Sequence, residues 1–190
     1  MSSLTVEKPA AKKRVNSKSK GSSFEGQVAK RLSTALDPLK FIRSQGSGAR
    51  VGGKNFATIG QLFGEDALKL FVGDVVASNE KDVLKDGSSF RWSIETKFYK
   101  TPDSFPGLIA GSANVFKWME ESIDDSQKVA RSPLLIFKWN HTPTYAAVLS
   151  EDVGDLVPKL TIAQGKRTLC IFLLDDLLGE RTFWFTFAAK

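Results

Sequence analysis

The spacing of apolar residues along the chain predicts two amphipathic helices. Apolar positions recur at three- and four-residue steps over residues 22–36 and again over 112–130, which is the period of a helix with one buried face. Ser22 or Ser23 is placed to cap the first helix, and Asp37-Pro38 ends it. Both helices are therefore expected to pack against other elements through one side.

Runs of β-forming residues predict strands around these helices. The Asp86-Gly87 turn separates Leu70–Ala77 from Phe90–Tyr99, so these two runs are expected to pair as an antiparallel hairpin. The other predicted elements are strands over 40–44, 134–139, 145–149, 169–174 and 182–187, a helical turn over 62–70 and a short helix over 151–156. This order predicts an α/β domain with a mixed central sheet.

Composition limits the chemistry that the chain can carry. Cys170 and His141 are the single cysteine and histidine, which excludes a disulfide framework and argues against a zinc site or a Ser-His-Asp triad. A metal would have to be held by oxygen atoms. The sequence has no transmembrane segment and no apolar core of a secretory signal, so we expect an intracellular protein, in the cytoplasm or at the nucleoid, with a nuclear or viral-host compartment also open.

The positive charge is concentrated at the N-terminus. The chain of 190 residues has a net charge of +6, and residues 1–20 carry six cations against Glu7. We therefore predict a disordered basic tail over residues 1–20, attracted to a polyanion, and a folded domain over 21–190. Judged alone, the tail is as consistent with a solvated segment or a localisation signal as with an arm that binds a polyanion.

Three residues of the predicted hairpin have the types that phosphodiester hydrolysis needs. Asp74 lies in an apolar run, where a buried carboxylate requires a partner or a metal. Glu95 and Lys97 are two residues apart, so they point to the same face of a strand, and the hairpin would bring Asp74 beside Glu95. Two carboxylates suit Mg²⁺, and a lysine beside them can orient the attacking water, help to deprotonate it or stabilise charge. The same spacing would also arise without any catalytic role, if Glu95 and Lys97 form a surface ion pair and Asp74 merely lies nearby.

Four short segments then follow one another in a recognisable order. They are Lys20-Gly21-x-x-Phe24-Glu25, Phe41-Ile42-Arg43-Ser44-x-Gly46-Ser47-Gly48, Gly73-Asp74-Val75-Val76 and Ile94-Glu95-x-Lys97. Over residues 20–139 this order resembles the Holliday junction resolvases of the archaeal type, which belong to the PD-(D/E)xK nuclease superfamily. Two departures are a longer glycine-rich segment between Gly48 and Asp74, and Gly73, where the superfamily name has proline.

The resemblance implies a fold and a function. The fold would be a restriction-endonuclease-like mixed central sheet flanked by helices, with residues 21–190 as the nuclease domain. The activity would be Mg²⁺-dependent, with Mn²⁺ able to substitute, and would resolve four-way DNA junctions by paired nicks in recombination and repair. Such enzymes act as homodimers on branched DNA, and neither a membrane nor a small-molecule cofactor is implied.

The resemblance also assigns roles to individual residues. Asp74, Glu95 and Glu25 would hold the metal, and Lys97 would position the water, which makes these four the catalytic set. Glu25 borders the apolar stripe of its helix, although the helix dipole alone also favours a glutamate there. Contacts to DNA are expected from the residues Lys20, Arg43, Ser44, Ser47, Arg50 and Lys54.

Two rival functions and one open question about assembly remain at this point. A restriction- or repair-type nuclease of the same superfamily would act on duplex DNA or ends, and a catalytically silent relative would only bind DNA. The aromatic run over residues 182–187 would place rings on both faces of a strand. A second copy of the chain or the domain's own helices could cover the outer face.

Overall fold

The computed structural model describes residues 17–44, 61, 68–84 and 87–187. The elements, in chain order, are α1 Ser17–Ala35, β1 Phe41–Arg43, β2 Val75–Ala77, α2 Glu80–Val83, β3 Ser89–Phe90, β4 Trp92–Tyr99, α3 Phe105–Ile109, α4 Asn114–Gln127, β5 Ser132–Trp139, β6 Thr144–Leu149, a 3₁₀ turn Ser150–Asp152, β7 Leu160–Gln164, β8 Arg167–Leu173, α5 Leu174–Leu177, α6 Arg181–Trp184 and β9 Phe185–Thr186. The helix α1 begins at Ser17, so Lys18 and Lys20 belong to a helix in the structure.

A mixed sheet lies at the centre of the fold. Within the described residues, seven strands pair in the order β1-β2-β4-β5-β6-β8-β7, and a separate two-stranded sheet joins β3 to β9. Strands β4 and β5 run parallel, and the described neighbours on either side pair antiparallel. The parallel pair needs a crossover, which α3 and α4 supply. The predicted α/β architecture is confirmed.

The two faces of the sheet are covered by different helices. One core joins the apolar stripe of α1 to residues such as Ile94 and Ile136, and the other joins α4 to Leu135 and Phe137. Alternation along β4 turns Ile94 toward α1, so the residues Glu95, Lys97 and Tyr99 face α4. The candidate catalytic residues of β4 therefore lie between the sheet and α4.

The run Leu70–Ala77 was predicted as one strand, and the structure corrects this. Only Val75–Ala77 is extended, because Gly73 adopts a φ of +90°. A Cβ atom on Gly73 would lie 2.8 Å from the carbonyl oxygen of Ile94. Proline, with φ near −65°, cannot take this conformation, which accounts for the glycine. Asp74 consequently lies at the start of β2 and not inside it.

The C-terminal aromatic run is also different from the prediction. Residues Arg181–Trp184 are helical, and only Phe185–Thr186 forms a strand. Phe183 and Trp184 are buried in the chain's own core, where the Nε1 atoms of Trp92 and Trp184 donate hydrogen bonds of 2.7 Å to backbone oxygens. These rings need no second copy to cover them.

A further strand, β7, has no counterpart among the predicted elements. Four of the five residues of β7 are exposed, so the strand lacks the alternation of buried and exposed positions that marks a half-buried strand. In the part of the chain that the structure describes, none of the helices has the length and apolar character to span a bilayer.

Candidate active site

Hydrogen bonds fix Asp74 between two strands. Its backbone N–H donates to the carbonyl of Ile94, and its carbonyl accepts from the N–H of Ser44, both at 2.8 Å. The Oδ2 atom of its carboxylate accepts from the backbone N–H of Thr96 at 2.9 Å and from the Thr96 hydroxyl at 3.1 Å. The side chain is therefore held in one orientation at the edge of β4.

Asp74 and Glu95 are neighbours across two strands. Val75 pairs with Ile94 in the antiparallel register, so the next positions outward bring Asp74 opposite Glu95. Burial raises the pKa of Glu95 to about 7, and the negative charge of Asp74 adds to this effect, while Lys97 partly offsets it. Two crowded carboxylates of this kind are stabilised by a bound cation.

Lys97 bridges two carboxylates. Its Nζ atom lies 2.8 Å from Oε1 of Glu95 and 2.8 Å from Oε2 of Glu121, which projects from α4. Burial lowers the pKa of Lys97, but the charges and hydrogen bonds of the two carboxylates outweigh burial and raise it. The side chain is therefore held as an ammonium ion at the site.

Glu25 is placed differently from the expectation. Its carboxylate accepts a hydrogen bond from Nε of Arg43, so the predicted metal ligand and a predicted DNA contact neutralise each other. Among the described residues, no group of three or more His, Cys, Asp and Glu side chains is close enough to hold a metal ion. The structure thus joins Asp74 to Glu95 but does not add Glu25 to them.

Most of the chain matches one protein family. Residues 16–175 match a family described as "Phage putative PDDEXK endonuclease". The chain belongs to this family. The match includes Asp74, Glu95 and Lys97, and with the mixed sheet it supports a restriction-endonuclease-like nuclease of the PD-(D/E)xK superfamily. The family does not support the archaeal Holliday junction resolvases in particular. No curated protein and no solved structure matches the chain.

The predicted DNA contacts of this PD-(D/E)xK chain have varied positions. Lys20 lies on α1, with Nζ 5.8 Å from the ring centroid of Phe98. Ser44 is only 5% exposed, so its place beside Asp74 favours a positioning role over the predicted phosphate contact. Arg43 is half-exposed on its pair with Glu25. The remaining three, Ser47, Arg50 and Lys54, lie outside the described residues.

A basic cavity opens beside Lys97. It has a volume of about 620 Å³ and lies between the first turn of α1 and the end of β4. Half of its lining residues are lysines, which gives a positive surface next to the catalytic candidates. The lining residues are Lys18, Lys20, Gly21, Thr96, Lys97, Phe98, Tyr99 and Lys100.

Sequence reasoning missed Glu121. The helix α4 carries four acidic residues at 120, 121, 124 and 125, and nothing in their spacing shows which of them meets Lys97. In the structure Glu120 pairs with Arg167 and Asp125 with Lys128, and Glu121 points to Lys97. Only the packing of α4 on β4 distinguishes them.

Proposed function

We propose that this chain is a Mg²⁺-dependent DNA endonuclease that resolves four-way junctions. The observation that carries the proposal is the position of Asp74 opposite Glu95, with the ammonium group of Lys97 at 2.8 Å from Glu95. Two carboxylates and one cation at a single point are the groups that metal-assisted phosphodiester hydrolysis requires. Membership of a family described as putative PDDEXK endonucleases supports the nuclease activity.

The donor set fits a hard divalent cation. Asp74 and Glu95 would hold Mg²⁺ or Mn²⁺ through oxygen atoms. The pKa of Glu95 is raised mainly by burial and further by the charge of Asp74, and a bound cation would offset both effects. Glu25 would join them on release from Arg43, which would free the guanidinium for a DNA phosphate. When bound, the cation supplies positive charge that stabilises the negative charge developing on the phosphate.

The chain's own residues supply position and charge. Thr96 and the backbone contacts of Asp74 keep that carboxylate oriented before DNA arrives. Lys97 orients the attacking water and stabilises the phosphate in the transition state, because its two carboxylate partners maintain it as a cation. Glu121 anchors this ammonium from α4.

The ordered resemblance from Lys20 to Lys97 supports a four-way junction as the substrate. Junction resolution needs two nicks on opposing strands, and one chain has one Asp74–Glu95–Lys97 cluster among its described residues, so the proposal includes a homodimer with a two-fold axis. In sedimentation equilibrium we expect about twice the chain mass without DNA.

Cleavage of matched substrates tests the proposal. A four-way junction, a linear duplex and a flap of the same sequence are incubated with the chain in Mg²⁺, Mn²⁺ or a chelator. The proposal expects paired, symmetric nicks in the junction with either metal, and none with the chelator. Equal rates on the duplex would favour the restriction- or repair-type reading, and binding without cleavage of any substrate would favour the silent relative.

A further inference from the structure

Three contacts follow one face of α4, and they connect the catalytic lysine to an exposed apolar surface. Glu121 holds Lys97, Trp118 packs on the ring of Tyr99, and the side-chain amide of Asn114 donates to Oδ1 of Asp103 at 2.7 Å, just ahead of α3. Positions 114, 118 and 121 are spaced by four and three residues, so they share one side of the helix. At about 1.5 Å per residue they span roughly 10 Å.

Tyr99 is the first exposed group on this line. It points to the same face of β4 as Lys97, and two residues of a strand span about 7 Å. Its ring lies 4.7 Å from that of Trp118, and yet 48% of the residue remains exposed. One side of the ring is therefore supported by the protein, and the exposed part can stack with another flat group.

The short helix α3 presents two more apolar side chains. Phe105 and Ile109 are four residues apart, on the same side of the helix, and each is 72% exposed. The helix is held firmly, because Ser104 accepts a hydrogen bond from Gly107 at 3.1 Å and Leu108 packs against the core under α4. A fixed support with exposed large apolar side chains is typical of a surface that binds a partner.

The charge around this surface indicates what the partner is. Lys100 follows Tyr99 in the chain, and it lines the basic cavity together with Tyr99, Lys18 and Lys20. A partner with anionic groups and flat apolar groups in alternation fits this arrangement, and a DNA strand has both. In an intact duplex each base is covered by its neighbours, so Tyr99 and α3 gain contacts only from bases that are already unstacked.

We infer that Tyr99, Phe105 and Ile109 form a surface that receives unstacked bases of branched DNA. The stretch of α4 from Glu121 to Asn114 is roughly 10 Å long, which is about three stacked base steps, so the surface would meet bases near the scissile phosphate. The inference rests on the proposed function and deepens it, because it gives a physical reason for preferring a branch over a duplex.

Binding to matched DNAs tests this surface in the full-length chain. Asp74→Asn is used throughout to prevent cleavage, with a four-way junction carrying 2-aminopurine at the branch and a duplex of the same sequence. Adding Phe105→Ser and Ile109→Ser should weaken junction binding about tenfold and duplex binding less than twofold, since base stacking is worth roughly this much per contact. The 2-aminopurine fluorescence of the bound junction should also differ between Asp74→Asn alone and the variant that adds Phe105→Ser and Ile109→Ser, because the reporter base no longer contacts the surface.

Two controls make the comparison specific. Val157 is a remote apolar residue that is 85% exposed, and Val157→Ser should change neither affinity. Tyr99→Phe keeps the ring and should keep junction binding, whereas Tyr99→Ala should lose it. Circular dichroism and the unfolding temperature confirm that the variants are folded.

Several results would overturn the inference. The first is an equal loss of affinity for junction and duplex in the double variant, or no loss for either. The second is an absence of DNA binding by Asp74→Asn. The third is a change in the sedimentation mass of Phe105→Ser/Ile109→Ser, which would make the surface an interface between copies of the chain. Cleavage by the unmodified chain in Mg²⁺ tests the proposed function separately. If it cuts junctions and the double variant keeps the same junction-to-duplex ratio, the base-contacting surface is wrong and the nuclease stands. If it cuts nothing and junction binding still depends on Phe105 and Ile109, the nuclease proposal is wrong and the base-contacting surface stands.

Discussion

Glu121 holds the ammonium group of Lys97 at 2.8 Å, from a helix that lies outside the strand carrying Glu95 and Lys97. The lysine therefore has a second anchor when the carboxylate of Glu95 is occupied by a cation. This contact connects α4 to the proposed chemistry, because the position of Lys97 then depends on how α4 packs on the sheet.

Glu121→Gln should lower turnover while leaving DNA binding nearly unchanged. The substitution keeps the shape of the side chain and removes its charge, so Lys97 loses a charge-assisted hydrogen bond. Because Glu121 is partly exposed, we expect a fall of about five- to tenfold in kcat, with little change in KM. Single-turnover and steady-state cleavage measure both constants.

Two neighbouring carboxylates on α4 serve as controls for this substitution. Glu120→Gln breaks an exposed pair with Arg167, and Asp125→Asn removes a charge that acts on Glu95 without touching Lys97. Both should retain turnover within about twofold. Equal losses in all three variants would mean that Glu121 acts only through its charge or the stability of α4.

The sequence was sufficient where a pattern is local. The apolar stripe over residues 22–36 predicted the first helix, and the two-residue spacing of Glu95 and Lys97 placed them on one face. These features depend on the period of a helix or a strand, which nearby residues determine. The predicted antiparallel pairing of β2 with β4 is confirmed, but α2 and β3 lie between these strands, so they are not joined by a simple turn.

The sequence was insufficient where distant contacts decide. Gly73 ends the predicted strand because it turns against the backbone of Ile94, and this close approach is not visible in the run Leu70–Ala77. The aromatic run around Trp184 is apolar on all sides, which fits a buried helix as well as a strand. Burial against the rest of the core determines which one forms.

Gly73→Ala should destabilise the chain and displace Asp74. The Cβ atom would meet the Ile94 carbonyl at 2.8 Å, in addition to the cost of about 1–2 kcal/mol for a left-handed alanine. Gly154→Ala is the matched control, because Gly154 has φ +61° and open space around its Cβ position. Urea unfolding should show at least twice the loss for Gly73→Ala. Equal losses would show that the close approach to Ile94 has no energetic effect.

The stability of the metal-free chain should fall as pH rises from about 4.5 to 7. The pKa of Glu95 is raised from 4.5 to about 7, so the folded state binds a proton that the unfolded state releases throughout this window. The shift corresponds to roughly 3 kcal/mol at most, lost by pH 7 and above. Urea unfolding at pH 5 and 8 should show this fall, which Glu95→Gln should remove.

Magnesium should reverse this dependence. A cation at Asp74 and Glu95 favours the ionised carboxylate, so Mg²⁺ should stabilise the chain more at pH 8 than at pH 5 and release a proton near pH 6. Titration calorimetry in buffers of different ionisation heat counts that proton. An identical pH slope in wild type and Glu95→Gln, with no proton released, would show that Glu95 does not behave as a buried carboxylate beside Asp74.

Deletion of residues 1–16 should weaken binding to every DNA shape. The deletion leaves α1 intact and removes four cations, Lys8, Lys12, Lys13 and Arg14. Each phosphate contact contributes roughly 0.9 to the salt dependence of binding to duplex DNA, so the slope should become shallower for junction and duplex alike. Binding isotherms over a range of salt concentrations measure it, and an unchanged slope would mean that these cations do not contact DNA.

The central claim is that Asp74 and Glu95 form the site of phosphodiester hydrolysis, and Asp74→Asn tests it most directly. The asparagine keeps the size of the side chain and its ability to accept from Thr96, but it removes the charge that would hold a divalent cation. With a four-way junction and saturating Mg²⁺, cleavage should fall by at least a thousandfold, roughly the scale of removing a principal catalytic group, while junction affinity stays within about threefold. Cleavage by Asp74→Asn at a near wild-type rate would contradict the account.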